Sequence, residues 1–137
     1  RVCITLPTGA SPRTDDHVIE ALGLASRVGR DHLYAVNILS SMGFEPELTY
    51  IKSSRHDTFE TFDDALRKYD DMVRKACALL PETRTQIALS KLKPWLETQI
   101  VENEDAGKPG ERGIPQGALR LREPRTITWA FIAWNVD

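Results

Sequence analysis

Thr126–Trp134, TITWAFIAW, is the stretch whose reading decides the fold. It carries no charge. Ile127, Trp129, Phe131 and Ala133 fall on one side of an extended chain, and Thr128, Ala130, Ile132 and Trp134 on the other. Both sets are mostly apolar. A strand with one wet face alternates apolar and polar residues, whereas a strand buried on both faces does not. The stretch therefore reads as a central strand covered by helices on two sides. The other elements must be its neighbours or its cover.

The first candidate neighbour is Arg1–Leu6, a short β-rich run stopped by Pro7-Thr8-Gly9. Its lack of alternation reads as a buried strand of parallel type. Asp15 and Asp16 then open a helical pattern, with Val18, Ala21, Leu22, Ala25 and Val28 on one face and Gly29 as the stop. A second helix is expected over Asp31–Met42. Asp31 can cap its first turn, Leu33, Val36, Leu39 and Met42 form its stripe, and Gly43 takes the left-handed terminal position. Glu47–Ser53 reads as a strand, with Leu48 and Tyr50 on one face and Thr49 and Ile51 on the other. Strand, helix, strand is the crossover that makes a parallel pair.

The strand pattern resumes at Thr58 and Phe59. Thr61 is the natural cap of the next helix, with Asp64 at the capping-box position. Ala65, Tyr69, Met72, Val73, Ala76 and Leu80 form its apolar face, and it ends before Pro81. Pro81 and Glu82 suit a helix start. Pro94 removes a hydrogen bond and crowds the preceding turn, so two helices are expected, about 82–92 and 94–103. Glu104–Gln116, rich in Gly, Pro and charge, is a surface loop. Gly117–Glu123 alternates Leu119 and Leu121 against arginines and reads as a short edge strand.

The totals bound the function. With 137 residues, 41% of them hydrophobic and 28% charged, the chain is long enough for one soluble α/β domain with a core of its own, spanning residues 1–137. A net charge of -2 argues against a nucleic-acid-wrapping protein. No apolar run approaches the length of a membrane span, of about 20 residues. The start lacks the make-up of a signal peptide, and a chain that opens on a strand without Met hints at a cut or processed polypeptide. Cys3 and Cys77 read as two buried, reduced thiols, which fits a cytoplasmic protein.

Few residues carry chemistry of their own. His17, His32 and His56 stand in no metal-ligand spacing and read as surface or satisfied polar groups. No metal site is expected. Pro7–Ser11 lacks the lysine and glycine spacing of a phosphate loop. Trp95, Trp129 and Trp134 read as packing residues, and Arg120, Arg122 and Arg125 as a solvated edge that resists strand pairing. Tyr34 and Asn37, three residues apart on a helix, can share a face. Over the carboxyl end of the first strand, that face would point to where open α/β sheets bind ligands. Thr8 and Arg13 belong to the loop leaving the same strand end.

The order of these elements resembles the carboxyl-terminal half of a class I S-adenosylmethionine-dependent methyltransferase. The strand that runs into Leu6-Pro7 is one part of the likeness. The run Tyr34…Asn37-Ile38-Leu39…Met42-Gly43-Phe44…Pro46 is similar to the family's Y-x-x-N-x-L-x-x-x-G-I-x-P. Phe59-Glu60-Thr61-Phe62-Asp63-Asp64-Ala65 is similar to F-x-S-L-E-E-A, a Pro81-Glu82 helix start follows, and the chain closes on an apolar strand ending in Trp134.

The resemblance implies a partial Rossmann-like methyltransferase sheet. Its last strand, Thr126–Trp134, would run antiparallel between two parallel strands, Arg1–Leu6 and Glu47–Ser53, with helices on both faces. It implies that residues 1–137 are the carboxyl-terminal portion of a larger domain whose parent transfers a methyl group from S-adenosylmethionine. The family's glycine-rich cofactor loop and ribose-holding acid have no counterpart here, because Gly107, Gly110 and Gly113 lie in a late Gly/Pro loop. No cofactor is therefore expected to bind this chain alone, which would be inactive without the missing amino-terminal half. Methyl transfer is largely in-line positioning, so no catalytic triad is required. Catalytic residues are not identifiable, and Thr8, Arg13, Tyr34 and Asn37 are the candidates for lining the acceptor side. The competing reading is a non-catalytic α/β binding or assembly domain that dimerises through an open sheet edge.

Overall fold

The computed structural model describes residues 1–9, 14–25 and 29–137. The architecture is α/β, with four α-helices and two small antiparallel three-stranded sheets among the described residues. In chain order the elements are β1 (Val2–Pro7), α1 (Asp16–Ala21), α2 (Asp31–Ser41), β2 (Glu47–Arg55), β3 (Thr58–Phe59), α3 (Phe62–Ala76), α4 (Glu82–Gln99), β4 (Ile100–Glu102), β5 (Leu119–Leu121) and β6 (Arg125–Trp134). They form two compact units. One comprises Arg1–Asp16, Ser26–Ser54 and Thr126–Asp137, and the other His17–Ala25 and Arg55–Arg125.

In the first unit the sheet order is β1-β6-β2, so TITWAFIAW is the central strand. Its register against β1 runs antiparallel from Val2 opposite Trp134 to Pro7 opposite Trp129. Ala133 is buried from one side set and Ala130 and Ile132 from the other. Expectation and structure part at the neighbours. No parallel hydrogen-bonded pair forms in either sheet. The crossover from β1 through α2 to β2 does not bring the two strands together, because β6 enters between them as their shared partner. β1, expected to be buried, lies at a sheet edge, and Val2 and Cys3 are exposed. Cys3 is therefore not the buried thiol that its strand suggested, whereas Cys77 is buried.

The helices show which local signals hold. α1 stops at Ala21, well short of Val28, which lies outside the described residues. Gly23 adopts φ +77, and Leu24 N–H reaches back to the Ile19 carbonyl, the six-to-one bond of a Schellman stop. Gly43 ends α2 in the same way, with Phe44 N–H donating to Leu39. The expected stripe of α2 is out of phase. His32 and Leu39 are buried and Ala35 and Val36 half-buried, while Leu33 and Met42 are exposed. Apolar residues surround this helix, so their spacing does not select one face. Asp31 is not its cap either; Arg30 holds the N-cap position and its side chain makes no capping bond.

The second unit holds the larger core. Val18, Ile19 and Leu22 pack with Phe59, Ala65, Tyr69, Met72, Val73 and Cys77, and with Ala88, Leu92, Leu96 and Leu121. Thr61 caps α3 as expected, its Oγ1 accepting from Asp64 N–H at 3.1 Å. Cys77 supplies the last buried position on this face, and Ala76 is exposed. α4 is one helix that runs through Pro94. Ala88, Leu92 and Leu96, all almost fully buried, continue a single stripe across the proline. Burying that stripe outweighs the one lost hydrogen bond. The helix ends at Gln99, and Ile100–Glu102 is a strand instead of further helix.

The second sheet has the order β3-β5-β4, both pairs antiparallel. β5 is thus its central strand and not an edge. Its arginine neighbours are not merely solvated. Arg120 pairs with Glu104 and donates to the Leu121 and Arg122 carbonyls, Arg122 donates to the Thr98 carbonyl, and Arg125 is buried beside Asp57. Gly117, just before β5, passes so close to β3 that a Cβ there would lie 2.5 Å from the Phe59 carbonyl carbon.

Candidate functional site

The residues singled out at the end of β1 occupy different surroundings. Thr8 is half-buried, and both its N–H (3.0 Å) and its Oγ1 (2.8 Å) donate to the Thr128 carbonyl. Its hydroxyl closes the sheet end instead of facing open solvent. Tyr34 and Asn37 are exposed on α2. Arg13 lies outside the described residues. Gly29, which leads into α2, passes the loop after β1 closely, its Cβ position 2.5 Å from the Gly9 carbonyl oxygen. The residue before the N-cap of α2 therefore passes close to the carboxyl end of β1.

His32, in the first turn of α2, is buried edge-on to Tyr50 at 5.7 Å between ring centroids, and its Nδ1 has no hydrogen-bond partner. It is neither a surface histidine nor a satisfied one. An unsatisfied buried polar group costs about 1–3 kcal/mol. His17, in the second unit, meets Trp95 edge-on and stands 3.6 Å from Glu123.

A concavity lies elsewhere among the described residues. In the second unit, a cavity of about 390 Å³ lies between residues 55–58, at the entrance to β3, and the loop 105–116. The strand end supplies Arg55, His56, Asp57 and Thr58; the loop supplies Asp105, Glu111 and Gln116. The loop is a built wall. Pro109 and Pro115 form a bridge, Gly110 N–H donates to Ile114, and Lys108 and Gln116 are joined through backbone. Arg112 sits at φ +56 within its single turn, Glu111–Gly113.

Ion pairs fix the charged lining. Arg55 binds Glu111 and stands 3.9 Å from Asp57. Asp57 is also 3.5 Å from Lys68 and 3.4 Å from Arg125. The Lys68 ammonium lies over the Phe59 ring, 5.3 Å from its centroid. Behind the loop, Arg120 holds the Glu104 carboxyl below its usual range by hydrogen bonding. From the sequence, His56 reads as a surface or satisfied polar group and Glu104–Gln116 as a surface loop, and the two are not joined; Arg-His-Asp-Thr at the end of a strand, followed far along the chain by a Gly/Pro loop with acids, is the signal that the cavity uses.

Among the described residues, no three His, Cys, Asp or Glu side chains gather so as to hold a metal ion, and no helix is long and apolar enough to cross a membrane. Gly107, Gly110 and Gly113 lie in the segment between β4 and β5 and not between a strand and an α-helix. Comparison with protein-family models, with curated proteins and with solved structures finds no match to this chain.

Proposed function

We propose that these 137 residues form the carboxyl-terminal, substrate-side portion of an S-adenosylmethionine-dependent methyltransferase. The observation that carries the reading is the placement of the last strand. β6 is hydrogen-bonded between β1 and β2 and runs antiparallel to β1. In this reading β1-β6-β2 is one end of a larger Rossmann-like sheet, with β1 and β2 parallel on either side of the reversed strand and helices on both faces. The cofactor-binding half precedes β1, and the chain by itself does not turn over. Thr8, Tyr34 and Asn37 then lie near the end of the sheet where α/β enzymes bind their ligands.

The test is the coding sequence upstream of Arg1. A strand followed by a glycine-rich loop, and an acid after the next strand, is expected. The protein encoded with that segment should bind adenosylmethionine, and residues 1–137 alone should not. A start codon directly before Arg1, or no cofactor binding by the longer protein, overturns the proposal. In the longer protein, alanine at Tyr34 and Asn37 should raise KM for the acceptor; unchanged kinetics removes both from the site.

A second reading is favoured by the open edges of the first sheet. β1 and β2 are both edge strands, and β2 exposes Tyr50 and Ile51. Exposed edges recruit partners. An assembly domain without catalysis would use them to form a homodimer, and a strictly monomeric species in analytical ultracentrifugation rules that out.

A further inference from the structure

From the cavity between residues 55–58 and the loop 105–116, we infer that the second unit binds a small zwitterion carrying one carboxylate and one ammonium group, as an amino acid does. The volume of about 390 Å³ lies in the range of small-molecule sites, roughly 300–1,000 Å³. The ligand class follows from which polar atoms remain after the bonds among the described residues are counted.

On the donor side, the Arg55 guanidinium gives one N–H to Glu111 and keeps others. Thr58 Oγ1 accepts from Gly117 N–H and retains its own hydrogen, and Gln116 accepts from Asn103 through Oε1 and keeps its amide hydrogens. These three groups suit a carboxylate. On the acceptor side, Glu111 Oε2 is taken by Arg55 and Asp105 Oδ1 by Lys108, which leaves the second oxygen of each carboxylate. These suit an ammonium. A ligand of either single sign would meet like charge, since the lining holds three carboxylates, Asp57, Asp105 and Glu111, as well as the Arg55 guanidinium. The loop's backbone bonds order the segment that carries Asp105, Glu111 and Gln116 before a ligand arrives, which lowers the ordering cost of binding.

This site owes nothing to methyl transfer, and either inference can fail without the other. The experiment is an NMR titration of residues 1–137 with the common amino acids, β-alanine and γ-aminobutyrate, followed by the amide and the N-acetyl form of each binder. At least one free zwitterion should shift the amides of residues 105–116, with a dissociation constant in the millimolar range or tighter. Blocking either end should weaken binding at least tenfold. Glu111→Gln and Asp105→Asn, both on exposed side chains, should each weaken the free form several-fold while leaving the circular dichroism unchanged. Absence of any shift across the panel overturns the inference, as does a binder indifferent to amidation, acetylation or both substitutions.

Discussion

Asp57→Asn removes the charge around which the second unit's cations gather. The Asp57 side chain is 13% exposed, and Arg125, 7% exposed, places Nε 3.4 Å from Oδ2. At 3.4 Å and an effective dielectric of about 20, two unit charges attract by about 5 kcal/mol. Desolvation of the two groups offsets part of this, and Arg125 has further interactions. The expected loss is therefore about 3 kcal/mol, the lower end for breaking a buried pair. Asp71→Asn is the control. Its partner Lys75 is closer, at 2.7 Å, but the side chains are 63% and 77% exposed. Such a helix-surface pair contributes about 0.3–0.5 kcal/mol. Urea unfolding at neutral pH, followed by circular dichroism, compares the two at constant slope. If Asp57→Asn costs no more than Asp71→Asn, the reasoning is refuted. The double replacement Asp57→Leu with Arg125→Met should recover most of the loss, because neither charge is then buried alone.

Gly117→Ala should destabilise the second unit by about 1–3 kcal/mol, because its Cβ would meet the Phe59 backbone and not a yielding side-chain tip; an unchanged Tm would show that the strand moves aside. Thr61→Ala removes the acceptor for Asp64 N–H and should cost about 1 kcal/mol, with Thr61→Gly milder; equal stability of the alanine variant and the parent would dismiss the cap. Glu104 ionises below its usual value because Arg120 hydrogen-bonds its charged form, so its contribution is present above the unfolded-state value and is lost as acidification passes through the lower folded-state value. Carboxyl-carbon NMR titration should show that depressed midpoint, and Arg120→Gln should move it upward; a midpoint unmoved by that substitution contradicts the assignment.

The features legible in the sequence are those that one element carries by itself. TITWAFIAW shows its central position because both of its faces are apolar, whichever strands flank it. Thr61 and Gly43 act through bonds to their own helices. What needed the fold was the identity of distant partners. α2 has apolar residues all round, so only its packing shows that Leu39 is buried and Met42 exposed. Pro94 breaks a local rule that the buried stripe of Ala88, Leu92 and Leu96 overrides. The cavity is built from segments far apart in the chain, and neither has a signature alone. Charge shows the asymmetry most clearly. Asp70–Arg74 and Asp71–Lys75 can be read at sight from their helical spacing, yet both are exposed and contribute little. Asp57 and Arg125 have no spacing that links them, and each sits beside a turn where a solvated residue is the natural expectation. Their pairing is the most buried in the chain's described ion pairs, and so the interaction with the largest expected effect is the one that local pattern cannot reveal.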